Sequence, residues 1–161
     1  MKKNVKIPLL VMFLFCNFFI FADETTGKTQ KAAIGIGPEW NMNARDNFAA
    51  GAVLAFDYSF GSSFAAGINV TASSNFSGIT VLEPAALFCW YFPGSDHVGW
   101  FVQAEAGTYL VLEDGDVTPM FLGGIRAGLR LPLGSLFFIE PFGRFGYPFA
   151  FGVGCLAGVK F

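Results

Sequence analysis

Residues 48–60 read FAAGAVLAFDYSF, and their side chains divide by parity. Successive side chains of a strand point to opposite sides. Phe48, Ala50, Ala52, Leu54, Phe56, Tyr58 and Phe60 therefore share one face, and Ala49, Gly51, Val53, Ala55, Asp57 and Ser59 the other. The stretch FAFGVGCLAGVKF at 149–161 repeats the pattern. Phe149, Phe151, Val153, Cys155, Ala157, Val159 and Phe161 alternate with Ala150, Gly152, Gly154, Leu156, Gly158 and Lys160. A helix needs apolar residues at i, i+3, i+4 and i+7, and from Ala33 onward no stretch has that spacing. The body is made of strands.

Eight such segments can be drawn, at about 32–41, 48–60, 64–74, 79–92, 98–110, 120–131, 136–146 and 149–161. Turn chemistry separates them: 41–47, Gly61-Ser62-Ser63, Asn75-Phe76-Ser77-Gly78, Pro93–His97, the acidic 111–119 connection, Leu133-Gly134-Ser135 and the Gly146/Pro148 turn. An even number of strands joined by hairpins is what an up-and-down antiparallel barrel requires. Strands of this length also suit a tilted crossing of a bilayer.

The charges decide which face is wet. Glu39, Asp57, Glu83, Glu105, Arg126, Arg130, Glu140, Arg144 and Lys160 all lie on the face opposite the bulky residues. The remaining charges of the body and tail fall in connections or before the first strand. An eight-stranded barrel holds little more than packed side chains. The small, glycine-rich face fits such an interior, whereas the Phe, Trp, Leu, Ile and Val face would overfill it. Turned to water, that bulky face would form an apolar patch far above the usual size on soluble monomers. The expected arrangement is a transmembrane barrel with lipid outside and charge within.

Composition agrees. The 161 residues are 53% hydrophobic and 14% charged, with 20 Gly and 21 Phe. Soluble domains carry about 25% charged residues. Disorder is excluded by hydropathy. A net charge of −2 and three dispersed Cys oppose nucleic-acid binding, zinc modules and disulfide scaffolds. Residues 1–22 read as a signal peptide: Lys2, Lys3 and Lys6 precede the apolar Ile7–Phe21 run, with a cut expected after Ala22. The run falls short of the roughly 20 residues of a spanning helix. Cleavage removes three of the 10 Lys and Arg, leaving 7 against 12 acidic residues. A short polar tail, 23–31, would then lead into the barrel at 32–161 of an exported protein.

Aromatic residues mark both strand ends. Phe60, Phe64, Trp90, Phe92, Trp100, Phe137 and Phe161 lie at one end, and Trp40, Phe48, Phe121, Phe145, Tyr147 and Phe149 near the other. Two such girdles are characteristic of transmembrane barrels, with Trp40, Trp90, Trp100 and Phe137 the marker positions. The C-terminal stretch FIEPFGRFGYPFAFGVGCLAGVKF at 138–161 is an amphipathic hairpin ending in an aromatic residue. With it, the whole mature chain resembles the small eight-stranded outer-membrane barrels of the OmpA/OmpX type. The resemblance implies that Val159 and Phe161 form the signal read by the barrel-assembly machinery, with Cys155 and Ala157 replacing bulkier residues often found there. Glu83-Pro84, Glu140-Pro141 and the glycine-rich last strand also resemble small barrels of spirochaetes.

Hairpin pairing places Glu105 near Gly124 and Arg126, Glu140 between Arg126 and Arg130, and Glu83 towards Glu105. A lumen cluster of Glu83, Glu105, Arg126 and Glu140 with Arg130, Arg144 or both is expected, since unpaired buried charges cost several kcal/mol each. Pro84 and Pro141 fall in mid-strand, where bulges or kinks are expected unless the strand boundaries shift. Cys89 and Cys155 face opposite ways and should not form a disulfide.

Chemistry is sparse. His97 is the one histidine, and Ser95, Asp96 and His97 are too close in sequence for a relay. Residues 113–116 lack the spacing of a calcium loop. Neither an enzyme nor a cofactor is expected. With the N-terminus periplasmic, the 41–47, 75–78, 111–119 and 146–148 connections face outward. The expected role is a monomeric structural or surface barrel in outer-membrane lipid, with a filled, charge-paired lumen. A narrow conduit for ions or small apolar solutes is the alternative, and a secreted ligand-binding barrel is opposed by the face analysis.

Overall fold

The computed structural model of the chain describes residues 31–43, 48–95 and 97–161. The expected signal peptide, nearly all of the tail, part of the 41–47 connection and Asp96 lie outside the described residues. Eight strands follow one another: β1 (Ala32–Asn43), β2 (Ala49–Ser59), β3 (Phe64–Ser74), β4 (Thr80–Phe92), β5 (Gly99–Glu113), β6 (Asp116–Leu133), β7 (Phe137–Tyr147) and β8 (Phe149–Lys160). Each pairs antiparallel with the next, and β1 pairs with β8, so the sheet closes into a barrel. No helix occurs among the described residues.

Parity holds along most of the wall. Ile36, Ile68, Phe88, Trp100, Phe121, Phe145 and other large apolar side chains point outward and are exposed, Trp100 to 64%. All nine charges assigned to the small face are buried inside. Strand ends fall within two residues of expectation except at the β5–β6 connection, where the expected 111–119 loop is strand. Glu113 faces Asp116 in register, and only Asp114 and Gly115 turn the chain, both with positive φ (51° and 88°). An Asp-Gly pair supplies the left-handed conformations of a tight hairpin turn. The acidic run hid a two-residue turn flanked by the apolar Val111, Leu112 and Val117, of which Leu112 and Val117 face each other across the hairpin. As a result β6 overshoots β7, whose pairing with it begins only at Gly123↔Tyr147.

A second departure lies at the start of β8. Met42 faces Phe151 but Asn43 faces Phe149, so Ala150 is an extra residue in the β1–β8 ladder. Such a bulge shifts the side-chain phase by one. Phe149, expected on the outer wall and in its girdle, turns inward and is buried.

The prolines are absorbed without bulges at 83–84 or 140–141. Across β4–β5 the ladder opens at Glu83 and Pro84, yet Leu82↔Leu110 and Ala85↔Gly107 keep the same register on either side. Across β6–β7 it opens at Glu140 and Pro141 between Leu131↔Ile139 and Gly128↔Phe142. On the other side of each strand, Val70↔Pro84 and Pro141↔Cys155 stay paired. A strand residue directs its N–H to one neighbour only, so a proline there breaks one ladder and spares the other. Pro38 does the same between β1 and β8 while pairing with Ala52 of β2. All three prolines adjoin an inward glutamate: Glu39, Glu83 and Glu140.

Inside, two apolar clusters flank the charges. Val81, Ala85, Tyr109, Leu122 and Phe149 pack together towards the β5–β6 hairpin end. Val53, Ala55, Ala65, Cys89, Tyr91, Phe101, Phe142 and Leu156 pack towards the end holding the described termini. Cys89 and Cys155 are free thiols.

Candidate functional site in the barrel lumen

Inward parity delivers each charged side chain to the lumen, and closure of the sheet brings distant strands together. Arg144 of β7 is the hub of the first group. Its Nη1 donates to Glu39 Oε1 at 2.7 Å and to Thr71 Oγ1 at 3.4 Å, and its Nη2 donates to Glu83 Oε2. Its Nε lies 3.4 Å from Glu105 Oε1. Arg126 of β6 sits directly opposite Arg144 in the β6–β7 register. Two like charges so placed repel unless anions intervene. Glu39 and Glu105 supply them: Arg126 Nη2 lies 3.5 Å from Glu39 Oε2 and 3.8 Å from Glu105 Oε2. Asn69 Nδ2 donates to Glu105 Oε2 at 3.1 Å, completing a group of three carboxylates about two guanidiniums.

Arg130 organises a second group. Its Nε donates to Glu140 Oε1, and its Nη2 lies 3.5 Å from Asp57 Oδ2. The guanidinium is sandwiched between the rings of Tyr91 and Phe138, 4.2 and 4.4 Å from their centroids. Arg126 lies 4.1 Å over Phe142, and Arg144 3.7 Å over Phe149. Each arginine thus sets a planar face against an aromatic ring, Arg130 against two, and points towards carboxylates, a geometry a lysine could not reproduce.

Two of these rings bear on two glycines of β8. A Cβ at Gly154 would lie 2.4 Å from Phe142 Cζ, and one at Gly158 2.3 Å from Phe138 Cζ. The glycines make room for two rings that support two arginines.

All six charges of the expected cluster, Glu83, Glu105, Arg126, Arg130, Glu140 and Arg144, are buried in the lumen, divided between the two groups. Glu83 and Glu105 meet through Arg144, and Glu140 bonds Arg130. Parity puts Glu39 and Asp57 on the inner face, but hairpin pairing does not bring them into the expected cluster. Their partners lie on strands that are not hairpin neighbours, which pairing across single turns does not reach. Lys160 of β8, also inward, donates from Nζ to Ser95 O at 2.7 Å. Trp40, Trp90, Trp100 and Phe137 are exposed on the outer wall, Val159 is half-buried, and Phe161 is exposed beside β1. His97 is exposed. Among the described residues no cluster of His, Cys, Asp and Glu is arranged to hold a metal ion.

Among the solved structures that match are two of this architecture. Neisserial surface protein A (NspA) matches with a TM-score of 0.67 at 12% identity, covering 84% of this chain and 100% of its own. The N-terminal β-barrel domain of Pseudomonas aeruginosa OprF matches with a TM-score of 0.66 at 13% identity, covering 83% of this chain and 98% of its own. The chain has the fold of the small eight-stranded outer-membrane barrels. The OmpA/OmpX-type resemblance holds at this level, while the spirochaetal one gains no support from either barrel. No protein-family model and no curated protein matches the sequence.

Proposed function

We propose that the chain is an integral barrel of the outer membrane with a structural or surface role, a lumen closed by paired charges, and no catalytic centre. One observation carries this reading: every described charge within the strands, apart from Glu113 and Asp116 at the tip of the β5–β6 hairpin, is buried inside and paired, while the exposed wall is apolar. Such a surface is stable against lipid and not against water. The filled lumen favours a plug that fixes the barrel's shape. Val159 and Phe161 serve as the assembly signal, lipid is the constant partner, and the barrel works as a monomer.

The narrow-conduit alternative draws on Arg126, whose guanidinium is held by ion pairs at 3.5 and 3.8 Å and makes no hydrogen bond. Mature protein folded into vesicles should migrate faster on a gel before boiling than after. In planar bilayers, wild type and Arg126→Glu should both be silent. Discrete openings in either would favour the conduit. A mature chain that stays soluble without detergent would overturn the membrane assignment.

A further inference from the structure

At the end of the lumen where the described termini lie, an arm of the β4–β5 connection is bonded both to the β2–β3 turn and to β8. Beyond β4 the chain bends inward, so that Gly94 and Ser95 are buried although they belong to a turn. Two hydrogen bonds hold this arm. Ser95 N–H donates to Ser62 O of the β2–β3 turn at 2.8 Å, tying neighbouring turns together. From β8, Lys160 Nζ donates to Ser95 O at 2.7 Å, with the lysine itself only 6% exposed. Tyr91 N–H, at the base of the arm, donates to Ser63 O at 2.7 Å.

We propose that Lys160 and the Pro93–Ser95 arm form a latch that seals this end of the lumen and sets only when the barrel closes. A buried ammonium needs acceptors, and the Ser95 carbonyl supplies one from the β4–β5 side. The same end of β8 completes the cylinder: Phe161 N–H donates to Ala32 O at 2.8 Å, and Ala32 N–H to Phe161 O at 3.0 Å. Docking of β8 on β1 therefore carries Lys160 to the arm. In an open sheet, with β8 away from β1, nothing holds the ammonium at Ser95. The latch shares no hydrogen bond with the Arg126, Arg130 and Arg144 groups, although the Lys160 charge also acts on Asp57 of the Arg130 group, and it does not depend on whether they conduct.

Cys89 reports on it. The thiol is buried on the inner face of β4, packed with Tyr91 and Phe101 at this end of the lumen. In a background carrying Cys16→Ser and Cys155→Ala, a charged, water-soluble thiol reagent should label Cys89 slowly in the folded barrel. Lys160→Met removes one pin, and Ser95→Pro removes the N–H of the other. Each should speed labelling about tenfold, the change in opened population expected from one lost hydrogen bond involving a charged or buried group. Lys160→Arg should stay near the parent rate. The gel shift on boiling, read on the same samples, distinguishes an opened latch from an unfolded barrel and tests the barrel reading independently. Unchanged labelling in both folded variants would overturn the latch, as would faster labelling that merely tracks loss of the folded band.

Discussion

At the scale of single residues, Arg144 carries more of the interior than any other side chain. It binds Glu39, Glu83 and Glu105 and lies over Phe149. Replacing it with Met leaves three buried carboxylates around one remaining guanidinium. Arg144→Met should cost about 3–5 kcal/mol, read as a lower urea midpoint for the folded barrel. Adding Glu83→Gln should recover part of that loss, because one uncompensated charge goes with it. Strict additivity in that cycle would show that Arg144 and Glu83 do not act as a pair. Gly158 offers a test without charge. Its Cβ would meet Phe138 Cζ at 2.3 Å and Ile34 O at 2.4 Å, whereas a Cβ at Gly143 would find nothing nearer than 3.9 Å. Gly158→Ala should destabilise by about 1–3 kcal/mol and Gly143→Ala by under about 0.5 kcal/mol. Parity alone placed Glu39 and Asp57 inside. It could not show whom they meet, because those contacts depend on the closed cylinder.

At the scale of elements, alternation located all eight strands and failed where something overrode the two-residue period. At 111–119 the acidic run masks the apolar Val111, Leu112 and Val117 and, with them, the Asp114-Gly115 turn. Gly115→Val, at φ 88°, should cost roughly 1–2 kcal/mol locally. Amide exchange should quicken from Tyr109 to Met120 while β1 and β8 stay protected. Uniform change across the barrel would mean that this hairpin is not a separable unit. At Phe149 a one-residue bulge reversed the phase, and no local signal in the sequence marks an inserted Ala150. The prolines yielded the opposite lesson. Pro84 and Pro141 demanded no bulge because each withdraws its N–H from one ladder and remains paired in the other. Pro84→Ala restores a donor facing β5 and should leave stability unchanged or raise it by up to about 1 kcal/mol. A marked fall in urea midpoint would assign the proline a role beyond being tolerated.

At the scale of the whole molecule, the chain is inverted relative to a soluble domain. Charge and glycine fill the middle, and Phe, Trp, Ile and Leu clothe the exterior. That inversion was legible before any contact was known, since it needs only the parity of each side chain and the narrow bore of eight strands. The layering of the interior was not legible, since it arises from contacts across the cylinder. Trp40, Trp90 and Trp100 all stand on the outer wall and none in the lumen, so intrinsic fluorescence reads the environment of that wall alone. The most direct test is to fold the mature protein into vesicles whose acyl chains carry bromine. Strong quenching of tryptophan emission relative to unbrominated vesicles is the expected result. Emission unaffected by brominated chains but quenched fully by an aqueous agent would place the apolar wall in water and contradict the membrane barrel.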